Sequence, residues 1–398
     1  MSDDSLQRYI KLRNFEAPNM PTQRAFEIYF AKALTLLKKD EENDEDAISS
    51  DRLYKTPEAD LATSATQIAS EPLLAILDEN LTDWLNSATP NDTLKIIVFP
   101  PCDDHSILQS WAERNKLECL ESPTPESILS GEAVLPDISN GSVLVIPRLE
   151  AWMMRTYYGL SLIKQLLAAI ENTERKIVVG CNIYAWEFLK KAVNAASFLP
   201  DPMTFQALDS KQLRDLFYSF HTKSDSANIT LYHQKSAQDI FAEDDEDNES
   251  YFKILAATSR GIPWVAWHLW RNNLLTQKEE PESEDTDKKA ADDAEDKALP
   301  AASSDRQILW VSALKEFTLP NSGNDLLLLV LQAILIHHEI SVDHLLKVLP
   351  DIKPTEAIPL LKRAGIITQK EGKLRCKPEA YPAVREGLIA SGFPTGVF

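Results

Sequence analysis

The chain is poor in the features that usually announce a site. Its four cysteines, Cys102, Cys119, Cys181 and Cys376, are scattered with no CxxC pair. That spacing argues against a zinc site and a disulfide framework and fits a reducing compartment. No apolar run approaches the roughly 18 residues of a membrane span, so no transmembrane segment is expected. The N-terminus, MSDDSLQRYIKLR, has no apolar signal core, and a cytoplasmic location follows as the expectation. An excess of positive charge is also missing. The net charge is −20, which repels nucleic acid and anionic lipid over the surface as a whole. Adjacent His337 and His338 point in different directions on a helix, and with His344 they make no metal-ligand pattern, so no metal is expected. Cys102 and His105 lie three apart in one turn with no third group to orient them, which disfavours a cysteine nucleophile.

What is present divides the 398 residues into five parts. Residues 1–60 form an N-terminal helical arm, with Phe26, Tyr29, Phe30, Ala33, Leu34 and Leu37 at helical spacing. Residues 61–235 alternate short β-branched runs with helical patterns, as in 94–99, 142–147 and 176–180. Such alternation predicts an α/β fold with a parallel sheet covered by helices on both faces. Residues 236–275 read as helical, and 276–305 as an acidic linker. Residues 306–398 begin with a strand-like stretch. Three helices, a hairpin around Lys370-Glu371-Gly372-Lys373 and a closing helix follow, which describes a winged helix. Gly365 is the expected cap of the third helix. The acidic runs 40–46, 243–249 and 278–297 cannot bury apolar area and read as solvated.

One stretch, KIIVFPPCDDHSILQSW (95–111), has the order of a phosphate-binding loop: strand, tight turn, helix. Its turn contains neither glycine nor lysine. With the elements around it, the chain resembles the AAA+ and STAND group of P-loop ATPases that carry a C-terminal winged helix, which implies a P-loop NTPase-like α/β domain, a helical lid and a winged-helix domain. In that resemblance Phe99 stands at the first glycine of the Walker A loop, Asp104 at the second, His105 at the lysine and Ser106 at the Mg²⁺-binding hydroxyl, with Pro101, Cys102 and Asp103 between them. That loop needs glycines so that backbone N–H groups can approach phosphate. Asp103 and Asp104 instead bring negative charge, at about 4 kcal/mol per charge pair at about 4 Å and an effective dielectric near 20. Pro147 replaces the Walker B aspartate, Glu150 follows three residues on, Asn182 takes the tip of the sensor 1 strand, and Arg260 falls near sensor 2. Asn182 reads equally as the cap of the following helix.

Trp264, Trp267 and Trp270 recur at i, i+3, i+6, either as the buried face of a lid helix or as a docking face for a partner. In the winged helix, Lys362, Arg363, Lys373 and Arg375 make a modest basic patch that gives weak grounds for duplex DNA. The expectation is a non-catalytic AAA+/STAND-like scaffold or regulatory protein with no cofactor, acting through a protein partner or a homo-oligomer. Two alternatives stand beside it: an ATPase binding ATP and Mg²⁺ in an atypical site, and a DNA-associated winged-helix regulator.

Overall fold

The short β-branched runs are apolar on both faces, so they are stable only where both faces are covered. The computed structural model describes residues 8–21, 48, 52–56, 65–87, 92–103, 106–223, 229–242, 246–277, 307–315, 317–320, 325–350 and 354–398. In chain order the first strands are β1 (Tyr9–Lys11), β2 (Leu53–Lys55), β3 (Leu94–Phe99), β4 (Glu118–Cys119), β5 (Val143–Ile146), β6 (Lys176–Asn182) and β7 (Met203–Phe205). All but β2 form one sheet in the order β1-β7-β3-β6-β5-β4. The strands from β7 to β4 run parallel, and β1 closes the edge antiparallel to β7. Ile96 to Val98, Leu144 to Ile146 and Ile177 to Val179 are each at most 1% exposed, with helices flanking the sheet. This is a mixed α/β, P-loop NTPase-like fold.

Strand order reverses around β3. The chain leaves β3 for the far edge at β4 and works back to β6. It then crosses to β7 on the other side of β3. An open α/β sheet places its ligand crevice at such a reversal, outside the carboxyl ends of the strands. Here those ends are Phe99 and Asn182, which are register partners.

A second sheet was not anticipated. β8 (Ile229–His233), β9 (Leu274–Gln277) and β10 (Gln307–Val311) join β2 in the order β2-β9-β10-β8. Helices Glu246–Thr258 and Pro263–Asn272 lie between β8 and β9 in the chain. The stretch expected to be helical to 275 therefore ends in a strand. β10, expected with the C-terminal unit, pairs with β8 and β9 instead. Residues 246–249, part of an acidic run expected to be solvated, open a helix. Glu246, Asp247 and Glu249 lie in its first turn, where negative charge favours the positive end of the helix dipole.

The C-terminal unit holds helices Asp325–His337, Val342–Val348 and Pro354–Arg363 with a small antiparallel sheet, β11 (Ile340–Ser341), β13 (Lys373–Cys376) and β12 (Ile367–Lys370), and then helix Tyr381–Ala390. Gly365 ends the third helix in a left-handed turn at φ 71°, its N–H donating to the Lys362 carbonyl, as helix ends of this kind do. Glu371 and Gly372 are both left-handed and form the two-residue loop that a tight hairpin needs. Residues 276 and 277 of the linker expected over 276–305 belong to β9; the rest of it, the helix expected over residues 22–37 and the acidic run 40–46 lie outside the described residues.

Candidate functional site at the carboxyl ends of β3 and β6

β3 ends at Phe99, whose ring is buried against Phe205 with centroids 5.8 Å apart. Pro100 and Pro101 then turn the chain. Cys102 (φ 63°) and Ser106 (φ 44°) adopt left-handed backbone, the conformation glycine supplies at no steric cost. For other residues it costs about 1–2 kcal/mol each. The loop is held there by contacts from outside it. The Trp264 indole N–H donates to the Pro101 carbonyl at 2.8 Å. Arg148 donates to the Asp103 carbonyl at 3.3 Å, and through Nε and Nη2 to Ser106 Oγ at 3.2 and 3.1 Å. Asp104 and His105 lie outside the described residues.

Arg148 organises the charge. Its guanidinium lies 3.7 Å from the Asp103 carboxylate and 3.6 Å from that of Glu150. These two residues are 6% and 3% exposed, so each carboxylate needs a partner to be tolerated. Glu150 is buried on a short 3-10 turn and accepts the Asn182 backbone N–H at 3.2 Å. The Asn182 side chain does two things. Its oxygen caps helix Ile183–Ala192 by accepting the Ala185 N–H at 2.9 Å, and its amide donates to the Ile336 carbonyl at 3.2 Å. Burial first, and the Glu150 carboxylate second, hold the Cys181 thiol well above its ordinary value. Pro147 stands with its carbonyl against Gly180, where an added Cβ would lie 2.3 Å away. The space left beneath the loop is about 20 Å³.

The cavity is far below the roughly 300–1,000 Å³ of a small-ligand site, and Ser106, Glu150 and Asn182 already bond within the chain. Among the described residues no group of three His, Cys, Asp or Glu side chains can hold a metal ion, and no helix is long and apolar enough to cross a membrane.

Comparison with known proteins adds little. No protein-family model and no curated protein matches the chain. Among solved structures, the Aeropyrum pernix ORC2 protein in ADPNP–ADP complexes aligns at 12% identity over 95% of this chain and 96% of that one, with a TM-score of 0.24. A likeness that slight bears on neither fold nor function.

The other residues singled out in the sequence fall in different places. Arg260 sits in a left-handed turn (φ 57°) and donates to the Val397 carbonyl at 2.9 Å. Of the two readings of the tryptophan stripe, the buried one holds and the docking face does not: Trp264, Trp267 and Trp270 are only 7%, 8% and 3% exposed. Trp270 stacks on Phe217 at 4.8 Å and Trp267 meets the same ring edge-on at 5.6 Å. The stripe is therefore core packing. Lys373 and Arg375 both pair with Glu339, Lys373 at 2.6 Å. Lys362 donates to Gln369, and Arg363 to the Pro359 carbonyl at 3.4 Å. Arg148 was missed. Its signal was a cation directly after Pro147 and two residues before Glu150.

Proposed function

We propose that this chain is a non-catalytic AAA+/STAND-like protein, working in the cytoplasm as a scaffold or regulatory partner of another protein or of a second copy of itself. One observation supports the reading above the others. The place where this fold would hold a nucleotide is filled by the chain's own side chains, with Arg148 bonded to Ser106 and Asp103 and paired with Glu150. A guanidinium that satisfies two buried carboxylates leaves no net positive charge for phosphate. The C-terminal unit is read as a winged helix that docks protein rather than DNA, because Lys373 and Arg375 already share Glu339. Calorimetry with ATP–Mg²⁺ tests the reading. No saturable heat is expected up to about 1 mM nucleotide, and binding near 1 μM, about 8 kcal/mol, overturns it.

A further inference from the structure

Two features mark the junction of the α/β body with the C-terminal unit. One is an open cleft of about 540 Å³ that Arg148, Glu126 and Glu339 help to line. The other is filled by the chain itself. After helix Tyr381–Ala390, Gly392 turns the backbone at φ 75°, and residues 393–398 run against the body. Phe398 is fully buried, and its ring meets Phe15 edge-on at 4.5 Å. Gly396 lies against helix Ile183–Ala192, where an added Cβ would stand 2.3 Å from the buried Ile183 side chain.

The walls of this slot are donors. Arg385 Nη2 donates to the Gly396 main-chain oxygen at 3.4 Å. Arg260 Nη2 donates to that of Val397 at 2.9 Å. The Tyr381 hydroxyl, at 2.9 Å, and Arg385 Nε both donate to that of Phe398. The donors come from the turn after helix Glu246–Thr258 and from helix Tyr381–Ala390, so both units contribute. Arg260 and Arg385 lie close enough to repel. Burial first, and Arg385 second, hold the Arg260 guanidinium below its ordinary value. Among the described residues neither guanidinium forms an ion pair, and their hydrogen bonds go to the tail. Half-buried cations of this kind need oxygens in front of them, and the tail supplies those oxygens.

Extended peptides are recognised in this manner: main-chain hydrogen bonds give affinity, and a pocket for one side chain gives specificity. We propose that the slot is a peptide-binding site, that residues 394–398 occupy it in cis, and that its outside ligand is a segment of a partner protein with glycine two residues before an aromatic side chain. The inference rests on the reading of the chain as an interaction protein, and it names the surface and the kind of partner. A short tether gives the tail an effective concentration in the millimolar range. A free peptide making the same contacts is held off below that concentration. The site is closed at rest and opens to a competitor that adds contacts of its own.

The test is fluorescence anisotropy of a labelled peptide, SGFPTGVF (residues 391–398), with the full chain as wild type and as Phe398→Ala, folding being checked by circular dichroism. The alanine tail gives up the pocket. The variant should bind the peptide with a Kd below about 100 μM, and the wild type about tenfold or more weakly. Adding Arg385→Gln to the variant should weaken binding about tenfold, the loss of a charge-assisted contact. A peptide with alanine in place of Phe398 should not bind. Phe398→Leu, which keeps an apolar filler, should give the same order with a smaller gap and replaces the alanine variant if that one does not fold. No binding to a folded tail variant up to about 1 mM peptide overturns the slot. Equal affinity for wild type and variant, or for the two peptides, overturns it as well. Such a failure leaves the proposed function standing without this surface, whereas ATP–Mg²⁺ binding overturns the proposed function and not the slot.

Discussion

Two spaces back onto Arg148, and they differ by more than an order of magnitude: about 20 Å³ beneath the β3 loop and about 540 Å³ against the C-terminal unit. In the small one, donors and acceptors come from the chain and match one another. Arg148 meets Ser106, Asp103 and Glu150, and Asn182 meets Ala185 and Ile336. In the large one, two cations share one carboxylate at the rim and a neutral imidazole faces three positive groups. Buried polar groups that satisfy one another rigidify a structure. At the strand-order reversal, the space beneath the loop is closed by the chain's own side chains.

If the closed pocket is structural and the cleft is not, substitutions should separate them by their effect on stability. Gly180→Val carries the largest cost. Its Cβ is driven to 2.3 Å from the Pro147 carbonyl and 2.9 Å from Leu108. The backbone must shift, so a loss of about 4 kcal/mol or more is expected in urea denaturation. His337, behind the cleft wall, comes next. Burial first, then Arg155 and His344, push it down to about 4. Between pH ~6.5 and ~4 the unfolded chain binds a proton that the folded chain does not. Stability is then full above the unfolded value and falls by on the order of 3 kcal/mol as pH drops through this window. A His337→Asn variant should show a flatter profile, and an unchanged slope would remove His337 as its cause. Asn182→Ala loses a helix cap and leaves the Ile336 carbonyl without its donor. That change should cost about 2 kcal/mol by thermal or chemical unfolding. Trp264→Phe loses the indole bond to Pro101. It should cost about 1 kcal/mol, and calorimetry on that variant would show whether a loosened loop admits ATP–Mg²⁺. Arg375→Gln on the hairpin should move stability by about 0.5 kcal/mol or less, as partly exposed ion pairs do. A larger loss there would mean that the cleft is as structural as the pocket.

The central strands were legible because Ile96-Ile97-Val98, Val143 to Ile146 and Ile177-Val178-Val179 form continuous apolar runs, and only a doubly covered sheet accommodates such runs. The strands at the margins were not. β1 and β7 have three residues each and β9 has four, too few for a period to show, and each exists through a partner far away in sequence. The tryptophan stripe showed which residues share a face but not what covers it. Phe217, well upstream in the chain, supplies the answer. At the site, the missing glycines and lysine were visible in the letters. The replacement for them was not, because Arg148 reaches the loop across strand order rather than along the chain.

The pairing of β9 with β10 has an evolutionary consequence. Those strands are antiparallel neighbours, yet the chain runs from 277 to 307 between them. Closing such a gap costs about 3 kcal/mol in chain entropy, and because the cost grows only with the logarithm of length, doubling or halving the insert changes it by about 0.6 kcal/mol. Selection on the sheet is nearly blind to how many residues lie there. The length and acidity of that segment can drift, or be recruited, while the fold that carries it stays the same.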